Sequence, residues 1–145
     1  MSKSRLRIAA VCAALAIASA GAAAQKLNVL GESPPGLWEL TGAPGARGKV
    51  RECVANLATL AQYEHRGRSC KATTLSDSGK AAVIHYTCAG SDFGRTAIKV
   101  ITPRNLKLDS QGISDGLPFA HTIEARRVGE CKPAGGASSG TERGH

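Results

Sequence analysis

The chain has 145 residues, with 19 Lys and Arg against 11 Asp and Glu, a formal net charge of +8. That length fits one domain with a real core and is too short for two. The charge excludes an acidic solvating chain, and an aromatic content of 3% leaves little with which to stack nucleic-acid bases.

The first 24 residues carry the pattern of an export signal. Lys3, Arg5 and Arg7 form a positive lead, residues 8–17 an apolar stretch, and Ala22, Ala23 and Ala24 the small residues at which cleavage before Gln25 is expected. Cys12 follows Val11 inside the apolar stretch, which does not suit lipidation. Removing this segment takes three basic residues and no acid, lowering the net charge to +5. No later apolar run is long enough to span a bilayer, so no transmembrane segment is expected after processing. The expected address is the periplasm or the exterior.

Residues 25–35, with Gly31 and the Pro34-Pro35 pair, read as an extended N-terminal arm. Leu37 to Thr41 alternate as a strand, and residues 42–48 read as a Gly-rich loop. Lys49 to Val54 alternate again, with Val50 and Val54 on one face and Lys49, Arg51 and Cys53 on the other. The period then changes. Leu57, Leu60, Ala61 and Glu64 follow helical spacing, which predicts a short α-helix over 57–65 with Asn56 as its N-cap.

Beyond it, strands are predicted at 68–75, 80–89, 95–102, 106–110 and 119–128. Turn residues at 76–79 and 103–105 and a loop at 111–118 separate them. The region 36–131 therefore reads as one mainly all-β domain: a curved antiparallel meander sheet with one short α-helix. Residues 132–145 are rich in Gly, Ala and Ser and read as a disordered tail.

Four cysteines remain after cleavage: Cys53, Cys70, Cys88 and Cys131. An even number in an exported domain reads as two disulfides, and the intervals contain no close pair of the kind a zinc site uses. A hairpin folded near Ser78 or Gly79 brings Cys70 opposite residues 86–88, which predicts Cys70–Cys88. Cys53–Cys131 follows by elimination. Chain entropy assigns the two bridges about 3 and about 4.5 kcal/mol.

Pro35-Gly36-Leu37-Trp38-Glu39-Leu40-Thr41, Glu52-Cys53-Val54 before the helix, Tyr86-Thr87-Cys88, and Arg126-Arg127-Val128-Gly129-Glu130-Cys131 occur in that order. Together they resemble domain-of-unknown-function family 3617, small exported proteins of Gram-negative bacteria. Members open on P-G-L-W-E, carry C-V before the helix and close on a strand ending G-x-C. The 42–48 loop is shorter than in that pattern, and several polar sheet positions are Ala here. The resemblance implies a β-rich, disulfide-bonded exported domain and no assigned activity.

No catalytic constellation is apparent. No G-x-S-x-G, H-E-x-x-H or phosphate-binding loop occurs, His65 reads as a helix-terminal residue and His145 lies in the tail. A His85–His121 pair on one sheet face is a weak metal candidate, because no supporting carboxylate follows at a useful spacing. No enzymatic activity, cofactor or metal is expected. Lys49 and Arg51 alternate on one face and Arg126 and Arg127 follow near the last strand. A Cys53–Cys131 bridge would bring these four together as an anionic-surface patch; the plainer alternative is a solvated face. Trp38, Leu57 and Leu60 are candidate contacts for a small apolar ligand between sheet and helix, against a plain core role. The expected function is a non-enzymatic envelope interaction module. Its partner would be another envelope protein, or an anionic lipid or lipopolysaccharide, and not nucleic acid. The alternative is a carrier of a small apolar ligand.

Overall fold

A computed structural model describes residues 26–133. The expected export signal, the cleavage point before Gln25 and the tail from 134 onward lie outside the described residues.

Among the described residues, seven strands form one open antiparallel sheet: β1 (Gly36–Thr41), β2 (Val50–Val54), β3 (Cys70–Ser78), β4 (Ala81–Cys88), β5 (Phe93–Thr102), β6 (Asn105–Ser114) and β7 (Leu117–Gly129). The spatial order is β2-β1-β7-β6-β5-β4-β3, leaving β2 and β3 as edges. Strands β3 to β7 form the expected meander. The β1–β2 hairpin attaches to it through β1, which pairs with β7 from Leu37↔Gly129 to Thr41↔Glu124.

Alternation along each strand sorts the residues into two faces. The inner face buries Ala82, Ile84 and Tyr86 of β4, Ile98 and Val100 of β5, Leu106 and Leu108 of β6, and Ile123 and Ala125 of β7. Two short helical segments cover this face: η1 (Asn28–Leu30) and η2 (Leu57–His65). Leu57, Leu60, Ala61 and His65 of η2 are buried against the sheet. Burial stabilises each leucine by about 1.5–3 kcal/mol. The Thr96 hydroxyl donates to the Ala61 carbonyl at 2.6 Å, pinning η2 to β5. Both predicted disulfides are present, Cys70–Cys88 across β3 and β4 and Cys53–Cys131 across a separation of 78 residues.

Three expectations are corrected. The predicted α-helix occupies its expected span but winds as a 3-10 helix, with non-helical dihedrals at Gln62. Its first turn is set by i→i+3 bonds: the Thr59 N–H and hydroxyl both donate to the Asn56 carbonyl, at 3.1 and 2.7 Å. Asn56 does cap it, accepting from the Ala58 N–H at 3.0 Å. The described part of the 25–35 lead-in, residues 26–35, is not an extended arm. Leu27 and Val29 are buried in the core, and the Asp77 carboxylate accepts the N–H groups of Asn28 and Val29 at 2.6 and 3.0 Å.

The expected 111–118 loop is instead a tight hairpin. Strand β6 runs to Ser114, and only Asp115 and Gly116 turn, with φ of 51° and 76°. Those left-handed values suit an Asp-Gly pair and match the twist of the flanking strands.

The P-G-L-W-E segment has a physical reading. Gly36 adopts φ 148°, and a Cβ there would lie 2.7 Å from the Gly129 carbonyl and equally close to the Arg127 guanidinium. Pro35 accepts a hydrogen bond from Arg127 Nε at 3.0 Å. Trp38 is fully buried, and Glu39 faces the opposite side of the sheet.

Candidate functional site

The four proposed patch residues divide between the two faces. Arg51 pairs with Glu39 across β1–β2 and Arg126 pairs with Glu39 across β1–β7, so both stand on the outer face. Lys49 joins them. Its Nζ lies 3.2 Å from Glu39, Arg51 Nε lies 3.2 Å away and Arg126 Nη2 3.4 Å away. One carboxylate thus holds three cations, and their long side chains leave Glu39 nearly covered. Hydrogen bonds from Lys49 and then Arg51 hold its pKa below the usual carboxylate value.

Arg127 does not join this group. It lies opposite Trp38, with its side chain 6% exposed, and bonds Pro35 and Glu130 instead. Consecutive strand residues point to opposite faces, so Arg126 and Arg127 could not both contribute to one patch.

The outer face extends the cationic character well beyond the predicted residues. In register across it, Lys99 of β5 stands directly opposite Lys107 of β6, which stands opposite Glu124 of β7. Arg95 lies on the same face two pairs along, and Lys71 occupies it on β3. The acids of this face are Glu39, Asp109 and Glu124, fewer than its lysines and arginines. Lys107 reaches Asp109 at 3.5 Å. Like charges directly opposite each other destabilise a sheet, so the Lys99–Lys107 pair is a local cost with a gain in surface charge. A depression of about 390 Å³ lies beside it, lined by Lys49, Lys107, Arg126, Glu39, Glu124 and the half-exposed Ile101. Sequence reading missed Lys71, Arg95, Lys99 and Lys107. The alternation of β5 carries the signal, since Arg95 and Lys99 occupy its polar side, but the convergence with Lys107 requires the register.

Trp38, Leu57 and Leu60 are core residues, at 0%, 5% and 0% exposure. None of them lines a described cleft. A cleft of about 610 Å³ lies between η2 and β3, over Ala58, Ala61, Ala72 and Ile84.

The histidines are also redistributed. His85 lies on the outer face, opposite Arg95, and contacts Phe93, whereas His121 lies on the inner face with its ring stacked on Phe119. The pair therefore cannot share a metal, and no cluster of three metal-ligating side chains exists among the described residues. His65 is fully buried. Its Nε2 donates to the Ile113 carbonyl at 3.0 Å, and its Nδ1 accepts from the Tyr86 hydroxyl at 3.1 Å. Burial, reinforced by Glu64, pushes the Tyr86 phenol up to about 12. Asp92 lies 3.9 Å from His65, accepts from the Asp115 N–H at 3.0 Å and binds Arg68. Those last two contacts hold its pKa low. Each of these groups has a local partner, and the chain of contacts ties η2 to β4, β6 and the β6–β7 turn.

No family model, curated protein or solved structure matches the chain.

Proposed function

We propose that the protein is an exported, non-enzymatic interaction module of the bacterial envelope that holds an anionic surface against the outer face of its sheet. The observation that carries this reading is the density of cations there, with Lys99 facing Lys107 beside the group of Lys49, Arg51 and Arg126. A sheet face presents such side chains at fixed spacing and needs no folding step to assemble them. Phosphate groups of lipid or lipopolysaccharide supply the complementary charge. The export reading rests on the N-terminal sequence pattern and agrees with two disulfides, which persist in oxidising compartments. The resemblance to family 3617 is part of this proposal. Its motif residues have structural tasks: Gly36 permits the β1–β7 approach, Trp38 fills the core and Glu39 organises the cations.

The test is co-sedimentation with vesicles of phosphatidylglycerol and phosphatidylcholine against vesicles of phosphatidylcholine alone. Binding confined to the anionic vesicles, weakened by salt and lost in Lys99→Glu/Lys107→Glu, is the expected result. Equal binding to both vesicles, or a double variant that binds like the parent, refutes the reading.

A further inference from the structure

The edge of β3 beside η2 has a different character from the outer face. Cys88 N–H donates to the Asp92 carbonyl at 2.9 Å, on the β5 side of β4. By alternation, Thr87 and His85 turn their backbone groups toward β3, where they face Lys71 and Thr73. Cys70 and Ala72 therefore direct their N–H and C=O groups away from β4, out of the sheet edge. The far half of β3 is already engaged: Asp77 holds η1, and the ladder is interrupted between Thr74 and Ser76.

Alongside Cys70 to Ala72 runs the cleft of about 610 Å³. Helix η2 packs on β4, β5 and β6 and leaves this space between itself and β3. Its floor is small and apolar, so a side chain arriving from outside has room over Ala61, Ala72 and Ile84. The lining includes Arg66, Arg68 and Lys71 but no Asp or Glu. The acids that pair with the two arginines, Glu52, Asp92 and Asp115, stand outside the lining.

We propose that this edge accepts an extended peptide segment of a partner protein that carries an acidic side chain, pairing with the backbone of Cys70 and Ala72 as an eighth strand. Main-chain hydrogen bonds to an edge strand supply affinity in such binding, and alternate side-chain positions supply selectivity. Here one side chain enters over Ala61 and Ile84, and a carboxylate meets the Lys71 side of the rim.

The test uses the full disulfide-bonded protein and a pool of acetylated, amidated hexapeptides with Glu at the fourth position and the others randomised. Two-dimensional amide NMR should show shifts centred on Cys70 and Ala72. The same pool with Lys at the fourth position should bind about threefold more weakly, the effect of one exposed ion pair. Ala72→Pro removes the outward N–H and no β3–β4 ladder bond, and an edge strand tolerates proline there, so it should keep the fold and lose the shifts. Gln62→Trp, which narrows the cleft from the η2 side, should weaken binding independently if Ala72→Pro fails to fold. Amides of Cys70 and Ala72 that do not move with millimolar pool overturn the proposal. Undiminished binding by the folded variants, or equal binding of the Glu and Lys pools, does so as well.

Discussion

Cys70 faces Cys88 because one residue, Leu75, is taken out of the β3–β4 ladder. Near the turn the pairs are Ser78↔Ala81 and Ser76↔Val83, whereas beyond the irregularity they are Thr74↔Ile84 and Cys70↔Cys88. A regular ladder continued from the turn would set Cys70 opposite Ala89. Leu75 is 53% exposed, so its side chain contributes little packing. Deleting Leu75 should therefore leave Cys70 opposite Cys88 and both bridges formed, whereas deleting both Thr73 and Leu75 should set Cys70 opposite Thr87, out of reach. Free-thiol titration of the chain from Gln25 under denaturing conditions reads the outcome: none expected without Leu75, two without both residues. Replacing Cys70 and Cys88 by Ser should cost about 3 kcal/mol in urea unfolding.

Glu39 is the shared counter-ion of Lys49, Arg51 and Arg126, and neutralising it leaves three cations without their common partner. Glu39→Gln should lower the melting temperature at low ionic strength. Added salt should narrow the difference from the parent, since mutual repulsion of exposed cations is screened. The same variant should bind anionic vesicles more tightly, because it raises the charge of the outer face. A melting temperature unaffected by the substitution would show that the three cations are adequately held by solvent. Sign fixes the acid behaviour as well: the pKa of Glu39 is lowered in the folded state, so its contribution is present above the unfolded value of 4.5 and lost as pH falls through the folded one.

What the sequence disclosed depended on the distance between the interacting residues. The Cys70–Cys88 bridge was legible because a local hairpin brings the two together, and η2 because Leu57, Leu60 and Ala61 recur at helical spacing behind a capping Asn56. The Asp115-Gly116 turn was legible in principle but was masked by Gly112 and Pro118. Gly112 lies within β6 because the Phe93 backbone and the Phe119 ring crowd the place where a Cβ would be. The division of Arg126 from Arg127 also follows from strand alternation alone. The burial of His65 was out of reach, since its partners Tyr86 and Ile113 lie 21 and 48 residues away. The Lys99–Lys107 pairing likewise needs the β5–β6 register, which depends on the turn at 103–104.

Gly94 and Tyr86 form a second register-dependent pair. The Tyr86 ring occupies the space that a side chain at Gly94 would need. Gly94→Ala should expel the ring, break its hydroxyl bond to His65 and destabilise the fold by about 1–3 kcal/mol. Tyr86→Phe isolates the hydrogen bond from the packing. It keeps the ring and leaves buried His65 Nδ1 without its donor, at a cost of about 1–3 kcal/mol. Urea midpoints of the two variants separate the contributions: if Tyr86→Phe matches the parent, packing alone holds this corner.

His121 should set the first acid-sensitive step. Burial against Phe119 depresses its pKa below 6.5, and the Glu64 carboxylate, 3.7 Å from Nδ1, opposes the shift in part. Its buried Nε2 has no hydrogen-bond partner among the described residues. The folded chain therefore binds this proton less readily than the unfolded chain does. Stability from this group is complete above pH 6.5 and declines as pH falls from there toward the depressed folded value. Glu39 and Asp92 act only at lower pH, below their unfolded values of 4.5 and 3.8. Urea midpoints followed downward from neutrality should begin to fall near pH 6.5. His121→Phe, which keeps the ring stack and has no nitrogen to protonate, should hold a flat midpoint until the carboxylate range. Glu64→Gln should steepen the decline, because it removes the charge that favours protonated His121. A parent midpoint already flat through pH 6.5, or an unchanged profile in both variants, would show that His121 escapes to solvent on protonation without cost to the fold.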